Sequence, residues 1–288
     1  IVISTKDRQW IWYSVQSEAL KYLIDFLFEE CCTRNQVVVM DGLELVDRLV
    51  DPIGTKGALG LIVLQNDETI EQDFRRLFRD PEVALYVSRI PSGADITPET
   101  IAEMDAELPL AASLFPSGVA LDVTAYACTS GTTLIGADRV AALVSGAATT
   151  RAVTNPLTAA FTALETLGVR SLAIVSPYVA SVAEPMRAAF EGHGFSVPAT
   201  LSFGEKVESR VARIDPASIR DAALQVAAET EVEAVFLSCT NLRTLDIIDD
   251  LEDRLGRPVV SSNQALAWHM ARLAGAPVAP GAPGRLFA

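Results

Sequence analysis

Two cysteines stand in matching surroundings: Cys128 ends an apolar run and opens ACTSGTTLIG (127–136), and Cys239 does the same in SCTNLRT (238–244). Each run reads as a strand followed by small hydroxylated residues and a helical pattern. A thiol at a helix N-terminus meets the positive end of the dipole and unpaired backbone N–H groups, so a lowered pKa is expected of both. Opposed across a cleft, one thiolate attacks or deprotonates a carbon from one face while the other thiol delivers a proton from the other. The backbone N–H groups of Thr129, Ser130 and Thr240, with the adjacent hydroxyls and Asn241, are candidates to hold a substrate carboxylate and the enolate-like charge that develops. One such cysteine alone would read as core packing. Two at equivalent strand ends point to a catalytic pair.

Other chemistries find less support. The two histidines, His193 in EGHGF and His269 in the last helical pattern, read as structural or exposed, which disfavours a Cys-His dyad. Neither GxGxxG nor GxxxxGK[ST] occurs, so no nucleotide cofactor is indicated. Lys6, Lys21, Lys56 and Lys206 do not fall at strand ends within the repeat described below, against a Schiff base. The remaining cysteines, Cys31 and Cys32, are adjacent, and the spacing of the four suits neither a disulfide scaffold nor a zinc site. Reduced thiols, no cofactor and no metal are expected, with no catalytic role for Cys31 or Cys32.

The elements that must position the two thiols form a repeat. A strand near 59–64 runs into a turn at Asp67, and one near 172–175 into a turn at Tyr178; the same 111-residue spacing separates Cys128 from Cys239. ITPETI (96–101) matches IDPASI (214–219), with Thr97 and Asp215 as N-caps before a proline. AVTNPLTAAFTALETLG (152–168) matches VVSSNQALAWHMARLAG (259–275). Each copy reads β-α-β-α-β-α-β-α, which implies a parallel sheet with helices on both faces. The fold class is therefore α/β, with two pseudo-symmetric Rossmann-like (flavodoxin-like) lobes and the active site in the cleft where the strand C-terminal ends meet. The boundaries read as an extension at 1–55, a first lobe at 56–151, a second at 152–263, a helix at 264–276 packing back on the first lobe, and a tail at 277–288.

Residues 1–39 hold no Gly or Pro and two of the three Trp, and the composition changes abruptly after Met40. The run 17–30 predicts a partly buried helix. The segment reads as an appendage, or as translated upstream sequence with Met40 as the start; a dimerisation or lid element is the alternative.

The 288 residues carry 23 basic and 37 acidic side chains, a formal charge of −14, and half are apolar. A folded protein with no nucleic-acid or anionic-membrane surface is expected. With no long apolar run, and with Lys6, Asp7 and Arg8 near the start, a cytoplasmic protein without a membrane span is expected. Its partner is a small-molecule carboxylate substrate, and a homo-oligomer, dimer or tetramer, is expected.

CTSGT at Cys128 and SCTNLRTLDIIDDLE from Ser238 resemble the Asp/Glu racemase superfamily, in the branch of maleate cis-trans isomerase and arylmalonate decarboxylase, over about residues 56–276. Within it, DETIEQDFRR (67–76), YVSRIPSGADITPET (86–100) and SSNQALAWH (261–269) resemble the racemase-like proteins encoded with ectoine-utilisation genes. The resemblance implies cofactor-free chemistry next to a carboxylate, with Cys128 as nucleophile or base, Cys239 as proton donor, and Tyr178 in SPY donating a hydrogen bond to a substrate carboxylate. Maleate isomerases carry Asn where this chain has Asp67, and a second Asn where alignment on Arg213-Ile214 puts Glu208. Carboxylates there only accept hydrogen bonds and repel a second substrate carboxylate. The substrate expected is an amino-acid-like intermediate of ectoine or hydroxyectoine breakdown, with a carboxylate and an ammonium, amide or hydroxyl. Alternatively, Asp67 is only an N-cap, with Glu71 in the first turn of the helix. Maleate isomerisation through a cysteine adduct and a non-catalytic ligand-binding module are the other readings. Decarboxylation is disfavoured because arylmalonate decarboxylases keep only the second-half cysteine.

Overall fold

The computed structural model describes residues 2–7, 10–15, 18, 21–23, 25, 26, 50, 52–95 and 97–288. Two compact units divide the chain, 1–51 and 52–288. In the first, β1 (Val2–Asp7) and β2 (Trp10–Val15) pair antiparallel, Val2 opposite Val15 and Asp7 opposite Trp10. Their β-branched and aromatic residues favour this hairpin, which the sequence reading above does not include. Of the helix predicted over 17–30, residues 18, 21–23, 25 and 26 are helical, and Tyr22 and Phe26 are exposed rather than buried. Cys31, Cys32 and Met40 lie outside the described residues.

The second unit begins β3 (Gly57–Leu64), α1 (Ile70–Leu77), β4 (Val83–Ile90), α2 (Pro98–Ser113), β5 (Val123–Ala127), α3 (Thr129–Ile135), α4 (Ala137–Ala147), β6 (Val153–Thr154) and α5 (Pro156–Thr166). It continues with β7 (Ser171–Ser176), α6 (Ala180–Gly192), β8 (Ser196–Ser202), α7 (Glu208–Val211), α8 (Pro216–Glu229) and β9 (Ala234–Leu237). A 3-10 turn (Leu245–Ile247), α9 (Ile248–Leu255), β10 (Val259–Ser261) and α10 (Ser262–Ala274) follow. The strands form two four-stranded parallel sheets, ordered β4-β3-β5-β6 and β8-β7-β9-β10. The two orders are equivalent, strand for strand, as the repeat predicts.

All eight residues of β3, and every residue of β5 and β9, are buried, as strands covered by helices on both faces must be. Gly60 in β3 serves this packing: a Cβ there would stand 2.8 Å from Leu121 Cδ1 and 3.0 Å from Thr124 Oγ1. The two predicted caps are in place: Thr97 accepts from the Thr100 N–H and Asp215 from Ala217. Asn155 accepts from Thr158 in the same way, and each of the three stands ahead of a proline in the first helical turn. Ser261 and Gln264 form a capping box that starts α10. β6 begins just past residue 151, where the sequence reading divides the lobes, yet it pairs with β5 and completes the first sheet. The chain returns at its end, since α10 packs against α5, α1, β3 and β5.

Candidate active site

Every residue singled out by the repeat lies where a strand delivers it. Asp67 follows β3, Cys128 follows β5, Tyr178 follows β7 and Cys239 follows β9, all at C-terminal ends, where open parallel sheets place their ligand sites. Glu208 opens α7 after β8. The side chains of Asp67, Cys128, Thr129, Ser130, Tyr178, Glu208, Cys239, Thr240 and Asn241 are all buried. Hydrogen bonds tie the turns of the two sheets together. Ser262 is the central link: its Oγ lies 2.9 Å from Thr129 Oγ1 and accepts the Cys239 N–H at 3.1 Å. Thr240 Oγ1 donates to the carbonyl of Ala127, next to Cys128, at 3.3 Å.

The two thiols are held differently. Cys128 is the N-cap of α3, and its Sγ accepts the Gly131 N–H at 3.1 Å with Ser130 Oγ at 3.6 Å. Thr129 and Ser130 fill the first turn, where backbone N–H groups have no intrahelical acceptor. Cys239 does not start a helix: only a turn follows it, and α9 begins at Ile248. Its φ of 131° is the one positive value at a non-glycine among the described residues, a strained geometry of the kind that clusters at functional sites. The expectation that both thiols sit at helix N-termini with lowered pKa is therefore corrected. Burial pushes Cys128 up to about 11 against the pull of Ser130, Gly131 and Tyr126. Burial, reinforced by the charge of Glu208, pushes Cys239 well above its ordinary value. A short first turn supplies too few donors to offset the loss of water around a thiolate.

The two acids form a second cluster. Asp67 Oδ1 accepts the backbone N–H groups of Thr69 (2.8 Å) and Ile70 (2.9 Å) and so holds the turn ahead of α1, whose N-cap is Thr69. Its other oxygen, Oδ2, is buried with no hydrogen-bond partner among the described residues, and burial raises the pKa of Asp67 against the pull of the Ile70 N–H, the nearby Thr240 hydroxyl and the Thr69 N–H. Glu208 is pushed up to about 7, first by burial and then by the charge of Asp67. Its Oε1 accepts from Asn241 Nδ2 at 3.1 Å. The N-cap position expected of Asp67 is taken by Thr69: one oxygen of Asp67 holds the turn ahead of α1, and the other has no hydrogen-bond partner among the described residues.

Asn241, expected at the substrate, is instead committed to protein. Its amide nitrogen donates to the carbonyl oxygens of Asn66 and Glu208 and to the Glu208 side chain, while its oxygen accepts the Glu68 N–H at 2.9 Å. It clamps the two halves of the site. Sequence reasoning missed three further residues. Arg89 donates to the carbonyls of Leu64, Gln65 and Asp67 and so fixes the turn that presents Asp67. Tyr126, two positions before Cys128 and hence on the same face of the chain, is fully buried, and that period-two spacing was the available signal. Ser262 carries no signal, because its partners are distant in sequence.

Against Cys128 lies a cavity of about 20 Å³, lined by residues including Ser92, Gly93, Met104, Ser130 and Glu208. That is room for a water rather than a carboxylic acid. The loop after β4 covers it: Asp95 bridges Val207, and the Ala94 carbonyl accepts the Glu208 N–H at 2.9 Å. Among the described residues, no group of three or more His, Cys, Asp or Glu could hold a metal ion, and no helix is long and apolar enough to cross a membrane.

The family model described as arylmalonate decarboxylase matches residues 106–287. The arylmalonate decarboxylase of Bordetella bronchiseptica is 37% identical over 137 residues, which is 46% of this chain and 57% of that protein. The maleate isomerase of Nocardia farcinica (strain IFM 10152) is 26% identical over 240 residues, 80% of this chain and 94% of its own length. A solved mutant of Nocardia farcinica maleate cis-trans isomerase, holding a covalently bound succinylcysteine intermediate, superposes with a TM-score of 0.71 at 25% identity, covering 80% of this chain and 97% of that one. The match spans more than half of the chain and includes both cysteine turns, and the chain belongs to the arylmalonate decarboxylase family.

Proposed function

We propose that the protein is a cofactor-independent isomerase or racemase that acts at a carbon next to a carboxylate, with Cys128 as base or nucleophile and Cys239 as proton donor. Its substrate is an amino-acid-like intermediate of ectoine or hydroxyectoine breakdown. The observation that carries the reading is the pairing of two linked, buried cysteines with two buried acids, one of which has an oxygen without a partner. In racemisation, the Cys128 thiolate takes the α-proton and becomes a thiol, the carbanion charge moves onto the carboxylate as an enediolate, and Cys239 returns a proton to the opposite face and becomes a thiolate. The N–H groups of Thr129, Ser130 and Thr240 and the hydroxyl of Tyr178 stabilise that enediolate.

The acids choose the substrate class. Glu208 charge raises both thiols, and Asp67 adds to this at Cys239. A substrate ammonium seated against Asp67 Oδ2 and Glu208 neutralises that field and lowers both thiols toward the working range, whereas a second carboxylate raises them further. Asn241 holds Glu208 in place for this role.

Maleate isomerisation is the second reading, favoured by the near full-length similarity to maleate isomerases. In it, Cys128 adds to the double bond, the carbon–carbon bond rotates, and the thiolate leaves as fumarate forms.

Proton NMR in deuterated water separates the readings, using 2,4-diaminobutyrate, its acetylated forms and maleate. Deuterium at the α-carbon of an amino acid, reduced at least a hundredfold by Cys128→Ser and by Cys239→Ser, is the expected result. Fumarate from maleate, with no exchange in the amino acids, replaces it with the second reading. Saturable binding without turnover, unchanged in both variants, makes the protein a binding module.

A further inference from the structure

We propose that Tyr126 is a catalytic residue: its phenol O–H donates to Cys128 Sγ once that thiol ionises, and with the Gly131 N–H and the Ser130 hydroxyl it completes a cradle for the thiolate. The inference rests on the reading of Cys128 as base or nucleophile.

Tyr126 and Cys128 flank Ala127 at the end of β5, and the two-residue period of a strand turns both side chains to one side. The phenol is fully buried. A buried hydroxyl is expected to spend its proton on a good acceptor. Among the described residues the hydroxyl has one hydrogen-bond acceptor, Met104 Sδ at 3.4 Å, and a thioether is a weak one. Met104 lines the same small cavity as Cys128 and Ser130. The phenol is also within reach of the cysteine, whose pKa it lowers while its own is raised. A neutral thiol is a weak acceptor and a thiolate a strong one, so ionisation draws the O–H from the thioether to the sulfur. No proton leaves the phenol in this step, and no bond is made or broken beyond the exchanged hydrogen bond.

Gly131 gives the arrangement a second, independent sign. A Cβ at this position would collide with Tyr126 Oη and stand 2.9 Å from Cys128 Sγ. Any side chain there enters the space that the phenol and the thiol share. The glycine of the CTSG turn, which sits at an ordinary φ, is thus demanded by the nearness of Tyr126 Oη and Cys128 Sγ to this position and not by backbone conformation.

The test is the pH dependence of Cys128 alkylation by iodoacetamide, read by peptide mass spectrometry so that Cys128 and Cys239 are followed separately in the same full-length chain. Below the thiol pKa the rate follows the thiolate fraction, so a donor lost from the thiolate shifts the profile upward. Tyr126→Phe is expected to move the Cys128 profile up by about one pH unit, a roughly tenfold slower rate at pH 8, and to leave Cys239 unchanged. Gly131→Ala, which keeps both groups but wedges them apart, should reproduce the Tyr126→Phe shift, and it serves as the reading if Tyr126→Phe loses its native circular dichroism. Superimposable Cys128 profiles in the native chain and in the folded variant overturn the assignment, as does an equal shift of both cysteines. Alkylation needs no turnover. A protein inert toward every candidate acid would refute the proposed function and leave this result standing.

Discussion

Replacing Glu208 with Gln tests the electrostatics of the site through stability. Glu208 is buried, and its pKa is raised to about 7 by burial and by Asp67. A carboxyl whose folded pKa lies above its unfolded value, here 4.5, binds its proton more tightly in the folded state. Its contribution is complete below the unfolded pKa and is lost as the pH rises through about 7. Integrating between these two values, ionising Glu208 costs the native chain about 0.8 kcal/mol at pH 5 and about 3.4 kcal/mol at pH 8, to order of magnitude. Glutamine keeps the shape and can keep the oxygen that accepts from Asn241 Nδ2 at 3.1 Å, but it does not ionise. The expected result is that Glu208→Gln gains about 2.5 kcal/mol relative to the native chain between pH 5 and pH 8. Urea unfolding at pH 5, 6, 7 and 8 reads this directly, and taking the difference between the two proteins cancels the parallel contribution of Asp73, a second buried acid raised to about 6. Parallel stability curves for the two proteins would refute the reasoning, because they would mean that Glu208 ionises in the folded chain as easily as in the unfolded one. The same substitution removes a negative charge that raises both thiols, so Cys128 and Cys239 should alkylate faster at pH 8 in the variant.

Asp67→Asn keeps an oxygen for the Thr69 and Ile70 N–H groups but removes the charge, so the turn ahead of α1 should hold while KM for the amino-acid substrate rises at least tenfold and maleate becomes a better competitor; unchanged KM and competition would leave Asp67 as a turn residue alone. Ser262→Ala strands the buried Cys239 N–H and removes the link to Thr129. It should cost about 2–3 kcal/mol in urea unfolding and lower turnover, and a loss below about 0.5 kcal/mol would show that the two cysteine turns hold their places without it.

Much of the framework was legible in the chain because it is written in local periods and pairs. The 111-residue repeat announced two equivalent parallel sheets, and Thr97 and Asp215 announced the starts of α2 and α8 through residues no more than four positions away. What failed was also local in form but was settled at long range. The hydroxylated turn after Cys239 resembles the one after Cys128, yet only the first becomes a helix, since the backbone at Cys239 is held instead by Ser262 from α10.

The sequence alone determined which residues arrive at the strand ends, because strand period, helix capping and repeat spacing depend on neighbours along the chain. It named Cys128, Cys239, Asp67, Tyr178 and Glu208, and the structure buries all five at C-terminal strand ends or in the turns after them. Only the tertiary structure decided their electrical character. It raised the thiols where the dipole argument lowers them, left one oxygen of Asp67 without a partner among the described residues, and spent Asn241 on a clamp. Desolvation and hydrogen-bond completion depend on every group that surrounds an atom, and several of those groups arrive on other strands and turns, as Glu208 does at both cysteines.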